Sequence, residues 1–235
     1  LMKAEDFLEG QILLIDKPLT WSSFQAVNKL KYVLKRKYDL PKKFKIGHAG
    51  TLDPLASGLL IICTGKFTKR IEELQGQAKE YTGTITIGAT TPSYDLETEI
   101  NERFPTEHIT EALIYETLPQ FIGEIDQKPP VFSAIKKDGK RLYESARAGI
   151  EVEIKTRKVT VSEFEITRIA LPEIDFRIVC SKGTYIRSIA YDFGLALNSG
   201  GHLTSLRRTK IGDYSVENGV EPEAFIEALQ QSPSE

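Results

Sequence analysis

The stretch that most constrains this chain lies between Gly47 and Cys63. It opens as Gly47-His48-Ala49-Gly50-Thr51-Leu52-Asp53-Pro54-Leu55-Ala56-Ser57-Gly58, a loop rich in Gly, Thr, Asp and Pro, and feeds directly into the apolar run Leu59–Cys63. That run is the longest of its kind in the chain, and it is strand-sized. A membrane-spanning helix needs about 20 apolar residues, so no segment here is expected to cross a bilayer. The chain must therefore bury its strands in a core of its own. With 235 residues it is long enough to do so, since a chain of this size buries roughly 70% of its unfolded surface.

The elements around that loop mix strands and helices without regular alternation. Gln11–Asp16 reads as a short buried strand stopped by Lys17-Pro18. Ser22-Ser23 offers a helix N-cap, followed by Phe24, Val27, Leu30 and Leu34 at helical spacing. Tyr81–Ala89 alternates and reads as a strand. His108–Phe121 is expected to be helical. Lys128-Pro129-Pro130 breaks the chain before a strand at Val131–Ile135, and Asp138-Gly139 signals a turn. Val159–Ile169 and Ile174–Cys180 look like paired strands joined at Leu171-Pro172-Glu173, and Thr184–Asn198 is expected to be a helix with Ile186, Ile189, Phe193 and Leu197 inward. The class is α+β with a mixed sheet, in one domain.

Composition excludes several alternatives. Apolar content of 40% and charged content of 27% are ordinary for a folded domain. Cys63 and Cys180 lack metal-ligand spacing and sit in apolar runs, so buried free thiols in a reducing compartment are expected. The N-terminal residues carry no apolar signal core. The formal charge is −2, but the charges are segregated. Lys29, Lys31, Lys35, Arg36, Lys37, Lys42, Lys43 and Lys45 face one acid, Asp39. Further basic stretches run from Lys136 to Lys158 and through Arg207, Arg208 and Lys210, while acids gather from Asp95 to Asp126 and beyond Asp213. Phosphate binding needs local cationic surface, not net positive charge, although a charge run is more often a solvated face.

Within the loop, Gly47, Gly50 and Gly58 permit backbone conformations closed to other residues and let a ligand approach the main chain. Pro54 restricts Asp53 to extended geometry, so its carboxylate can be held projecting. The plainer alternative is a tight surface loop in which Asp53 and Thr51 make local turn hydrogen bonds.

This loop resembles the catalytic motif of the TruB family, the bacterial tRNA pseudouridine-55 synthases. Other segments match in the family's order: Ile15-Asp16-Lys17-Pro18 with Trp21-Ser22-Ser23; Lys79-Glu80-Tyr81 with Gly88 and Asp95; Gln127 to Ala134 with Lys140-Arg141-Leu142-Tyr143; and Ser181 to Ser188 with Leu206-Arg207-Arg208. The resemblance covers residues 11 to 216. It implies the pseudouridine synthase fold, with a central mixed, largely antiparallel sheet flanked by helices and RNA-binding loops. It also implies a catalytic domain over 2–216, with an RNA-clamping insertion at about 127–158. Residues 217–235 are expected to be a short acidic tail with no complete PUA-type RNA-binding domain.

The activity implied is isomerisation of uridine to pseudouridine at position 55 of the tRNA T loop, by base flipping and without metal or cofactor. Asp53 is then the catalytic carboxylate, as nucleophile or as base toward a ribose proton. Arg187 would be the cation that keeps it charged, its plainer alternative being a surface ion pair. Tyr81 would stack on the uracil, Leu206 would wall the base pocket, Tyr185 would order the Asp53–Arg187 pair and His48 would fill the space the base leaves. Lys17 would support the loop or a nearby phosphate. Lys136, Lys137, Lys140, Arg141, Arg207 and Arg208 would contact the RNA backbone. The expected partner is the tRNA T stem-loop, with no guide RNA and no membrane, for a monomer in the cytoplasm.

Overall fold

The structure, a computed structural model, describes residues 2–130, 136–137, 140–141 and 155–233. The expected strand Val131–Ile135 and most of the basic insertion lie outside them. Two compact units divide the chain: Leu1–Tyr81 with Arg207–Glu235, and Thr82–Leu206.

In the first unit the apolar run lies in strand β3, Ala56–Thr64. Leu59, Leu60, Ile61, Ile62 and Cys63 are fully buried, which stabilises the fold by about 2 kcal/mol for each large side chain. Strand β1, Ile12–Lys17, runs antiparallel to it from Ile12↔Cys63 to Lys17↔Gly58. Strand β2, Ile46–His48, pairs its far end through Ile46↔Thr64 and His48↔Ile62. The strand order is β1-β3-β12, where β12 is Gly201–Ile211, and β13 (Tyr214–Ser215) hairpins onto β12.

Helix α1, Ala4–Glu9, buries Phe7, and helix α2, Ser23–Tyr38, begins at the expected cap. Ser22 Oγ accepts from Gln25 N at 3.0 Å and Gln25 Oε1 accepts from Ser22 N at 2.8 Å, a reciprocal box. Its inner stripe is Ala26, Val27, Leu30 and Leu34. Phe24, expected on that stripe, is instead 69% exposed, because the buried face runs from Ser23 through Ala26, Val27, Leu30 and Leu34 and leaves Phe24 outside it. A short helix α3, Ile71–Gln75, follows β3. The segment expected to be an acidic tail carries structure. Val220 bridges Ile15 in parallel, and helix α6, Pro222–Gln231, buries Ile226 and Leu229 in cores shared with α2. Its apolar residues Phe225, Ile226 and Leu229 recur at helical spacing among the acids.

In the second unit the order is β12-β4-β11-β10-β7. Strand β4 is Lys79–Ile87, β7 is Gly123–Gln127, β10 is Arg157–Ala170 and β11 is Glu173–Cys180. Strands β10 and β11 form the expected hairpin, closing at Ala170↔Glu173, and β7 pairs β10 from Arg157↔Gln127. The ladders described are antiparallel, with the Ile15–Val220 bridge as a parallel contact, so the α+β class with a largely antiparallel sheet is borne out. Small antiparallel pairs β5–β6 (Ala89–Thr90, Glu102–Arg103) and β8–β9 (Lys136–Lys137, Lys140–Arg141) stand apart. The expected helix His108–Phe121 is shorter: α4 spans Glu111–Thr117, capped by Thr110, and tightens to 3₁₀ at Leu118–Phe121, where Pro119 cannot extend the α ladder. Helix α5, Ile186–Ala196, buries Ile186, Ile189 and Phe193, the last against Phe121 and Phe164. Cys63 and Cys180 are both buried. Among the described residues, no helix is long and apolar enough to cross a membrane.

Candidate active site

The first unit builds a rigid frame around the loop that carries Asp53. Ser23, at the start of α2, grips the residue before it twice: its Oγ donates to the Leu52 carbonyl at 3.0 Å and accepts from Leu52 N at 2.8 Å. On the far side, Thr20 N donates to the Pro54 carbonyl at 2.8 Å, and Ala56 N to the Asp53 carbonyl at 2.9 Å. Leu52 is buried while Asp53 and Pro54 are exposed, so the main chain is anchored and Asp53 stands at the surface of the unit.

Beneath the loop lie two buried cations. Arg208, expected to contact RNA, is only 2% exposed and turned inward. Its guanidinium donates to three carbonyls: Nε to Leu59 at 2.9 Å, Nη2 to Gly50 at 3.1 Å and Nη1 to Thr51 at 3.3 Å. Neighbours in a strand face opposite sides, and on β12 it is Arg207 that stays partly exposed. Arg207 forms a two-pronged ion pair with Asp16 at 3.0 and 2.9 Å and reaches Ser57 at 3.3 Å. Lys17 is fully buried, and its Nζ donates to the carbonyls of Trp21 at 2.7 Å and Pro18 at 2.9 Å. These two bonds hold the turn between β1 and α2. Burial pushes the Lys17 ammonium down to about 8; the charge of Asp53 opposes that shift and the charge of Arg208 adds to it.

His48 ends β2 and is half-buried. Its Nδ1 is buried with no hydrogen-bond partner among the described residues. Burial holds its pKa below 6.5, opposed by the Gly50 backbone and reinforced by Arg208, so the ring is neutral at physiological pH. Tyr81 lies half-buried on β4, where Thr209 Oγ1 ties the preceding residue, Glu80, to β12 at 2.8 Å.

The second unit positions Arg187. Its helix, α5, is bolted to the end of β7: the Gln127 side-chain amide accepts from Tyr185 N at 2.7 Å and donates to the Tyr185 carbonyl at 3.1 Å. One turn on, Ser188 Oγ donates to the Lys128 carbonyl at 2.6 Å. Arg187 Nη1 lies 3.8 Å from Asp95 Oδ2, both side chains 12% exposed. The plainer reading of Arg187 as a solvated surface pair thus fails on burial. Asp95 is itself fixed, its Oδ1 accepting from Ser93 Oγ at 2.6 Å and Glu97 N at 2.9 Å. Leu206 is half-buried on β12, and Arg157 lies 6.0 Å above the Tyr185 ring.

Asp16, Ser23, Asp95 and Gln127 all stand within the motifs read from the sequence, but none was expected to have a role in the site. Their place inside those motifs was the signal available. Lys136, Lys137, Lys140 and Arg141 lie on the β8–β9 hairpin, and the rest of the basic insertion falls outside the described residues. A cavity of about 320 Å³ in the first unit is bordered by Lys43, Lys45, Lys66 and Lys69 over Phe44 and Leu8. Among the described residues, no cluster of His, Cys, Asp and Glu could hold a metal ion.

Comparison with known proteins shows the family of the chain. Residues 35–186 match the family model described as TruB family pseudouridylate synthase (N terminal domain), and residues 187–233 match the tRNA pseudouridylate synthase B C-terminal domain. The chain is 77% identical over 229 residues to tRNA pseudouridine synthase B of Flavobacterium johnsoniae, covering 97% of this chain and 100% of that one. The protein of the same name from Phocaeicola vulgatus is 56% identical, with 98% and 97% covered. Among solved structures, a Cbf5-Nop10-Gar1 complex contains a chain that superposes with a TM-score of 0.71 at 27% identity over 96% of this chain, which spans 56% of that chain's length.

Proposed function

Because this chain belongs to the TruB family of pseudouridylate synthases, we propose that it isomerises uridine to pseudouridine in tRNA, at position 55 of the T loop. The observation that carries the reading is the exposed Asp53 on a loop anchored at Leu52 and Pro54 and underlaid by buried Lys17 and Arg208. Such a group is held for chemistry on a partner, since a turn residue needs no two buried cations beneath it.

The reaction breaks the bond from ribose C1′ to uracil N1, turns the base and rejoins it through C5; C5 then loses its proton and N1 takes one up, so atoms and charge balance without a co-reactant. Asp53 acts at the ribose, as nucleophile at C1′ or as base toward a sugar proton. A carboxylate desolvated by bound RNA tends to take up a proton unless a cation attends it; Arg187 is proposed for that duty. Tyr81 offers a ring to stack on the extruded base, Leu206 an apolar wall and Tyr185 support for Arg187. Extruding a stacked base costs a few kcal/mol, and a neutral His48 is suited to occupy the gap, since it stacks without bringing a charge. Lys136, Lys137, Lys140, Arg141 and Arg207 are proposed RNA-backbone contacts; for the exposed cations of the first unit, Lys43, Lys45, Lys66 and Lys69 add to that surface. The catalytic body takes in residues 2–216, with the clamp at about 127–158 and helix α6 packed against α2 within the first unit. The enzyme works as a cytoplasmic monomer, without cofactor or guide RNA.

The test is to incubate purified protein alone with a tRNA transcript and map the modified nucleotide. Pseudouridine at position 55 without guide RNA is expected, and Asp53→Asn should abolish it while leaving tRNA affinity within a few fold. Product formed by Asp53→Asn sinks the assignment of the carboxylate.

A further inference from the structure

Tyr94 and Tyr191 stack with ring centroids 4.0 Å apart and planes inclined by 12°. Tyr94 immediately precedes Asp95, and Tyr191 lies one helical turn after Arg187 on α5. We propose that this stack is a positioning element for the pseudouridine synthase reaction, fastening the turn that carries Asp95 to the helix that carries Arg187. The proposal rests on the role assigned above to Arg187.

Three observations carry it. First, the Asp95–Arg187 approach of 3.8 Å is beyond hydrogen-bond length. Charge attraction at that distance is nondirectional, so it does not by itself set where the guanidinium sits. Second, among the described residues the other bonds of the Asp95 carboxylate are local, to Ser93 and Glu97. These fix the carboxylate within its turn but do not fix the turn against α5. The stacked rings do, since positions i and i+4 of a helix share a face and bring Tyr191 and Arg187 to the same side. Leu203 N, donating to the Tyr94 carbonyl at 2.8 Å, ties the same turn to β12.

Third, Tyr94 has φ +66°, in the left-handed region. Gly or Asn takes that conformation readily, whereas a bulky side chain there is uncommon and points to a constraint from elsewhere. The backbone alone would select against tyrosine, so the ring is what the position requires. Its hydroxyl is not needed as a charge: burial, then Tyr191 and Asp192, push Tyr94 up to about 12, and it stays neutral across the working range.

Steady-state turnover of a tRNA transcript by the full chain tests this. Tyr94→Ala and Tyr191→Ala are expected to lower kcat about 10-fold with KM within 2-fold, since misplacing a catalytic group by a fraction of an ångström costs rate more than binding. Tyr94→Phe and Tyr191→Phe keep the rings and should retain at least half the wild-type kcat. Should the alanine variants melt too low to assay, Tyr94→Asn, which suits the left-handed backbone, and Tyr191→Leu, which fills the volume without a ring, decide. In an Arg187→Lys background, Tyr191→Leu should cause less than a 2-fold further loss, because both changes act through one group. Folded ring-deleted variants with wild-type kcat overturn the proposal, as do phenylalanine variants as damaged as the alanine ones, or full additivity with Arg187→Lys. A wild-type protein that forms no pseudouridine instead overturns the functional reading beneath it.

Discussion

Gly58 and Arg208 meet backbone to backbone, with the Gly58 α-carbon so close that a Cβ would fall within the Arg208 carbonyl. Gly58 also has φ +111°, which L side chains rarely adopt. Gly58→Ala is therefore expected to cost about 3 kcal/mol or more, read as a lowered denaturation midpoint at unchanged slope. A stability within about 0.5 kcal/mol of wild type would show that the two strands part easily.

Arg208→Met separates a frame from a phosphate contact. The apolar side chain leaves the carbonyls of Gly50, Thr51 and Leu59 without their buried donor, each unsatisfied group costing about 1–3 kcal/mol. Pseudouridine formation should fall more than about 100-fold, the scale on which misaligned catalytic groups fail. The slope of log Kd for tRNA against log salt should stay unchanged, because no phosphate contact is lost. A slope reduced by about 0.9 would return Arg208 to the RNA surface.

Lys17 links the same frame to pH. Its folded pKa of about 8 lies below the unfolded 10.5, so between those values the unfolded chain holds a proton the folded chain has released. Folding stability from this group therefore rises with pH across that window. A neutral amine still has two N–H groups for the carbonyls of Pro18 and Trp21. The stability gap between wild type and Lys17→Met should consequently widen from pH 7.5 to 10 in favour of the wild type, measured by denaturant titration at each pH. A gap constant with pH would mean that Lys17 titrates normally.

His48 works in the opposite range with the same sign. Its folded pKa lies below 6.5, so below pH 6.5 the unfolded chain takes up a proton that the folded chain resists. Stability is lost as pH falls through that region, and His48→Phe should be less acid-sensitive than wild type between pH 6.5 and 5. An NMR titration placing His48 at or above 6.5 contradicts this.

Much of this architecture was legible in the residues. Ser22-Ser23 announced the start of α2, and the turn at Leu171-Pro172-Glu173 announced the β10–β11 hairpin, because caps and turns are decided locally. Strand β12 was not legible: Arg207, Arg208 and Lys210 read as a basic surface, and nothing short-range reveals that Arg208 turns inward to three carbonyls. Helix α6 was masked in the same way, its Ile226 and Leu229 set among acids that dominate the composition of the segment. At the site, the motifs located Asp53 and Arg187, but the fasteners Ser23, Gln127 and Asp95 act through contacts whose partners lie 29, 58 and 92 residues away. Sequence shows such residues as ordinary polar side chains until the chain is folded.

The double grip of Ser23 on Leu52, with Thr20 on Pro54, means that the loop is ordered when the chain folds and not anew at each encounter with tRNA. Preorganisation of this kind makes the carboxylate's aim a property of a few hydrogen bonds at the lip of the β3 core. Warming is thus expected to silence the enzyme several degrees before the protein melts, and to do so reversibly.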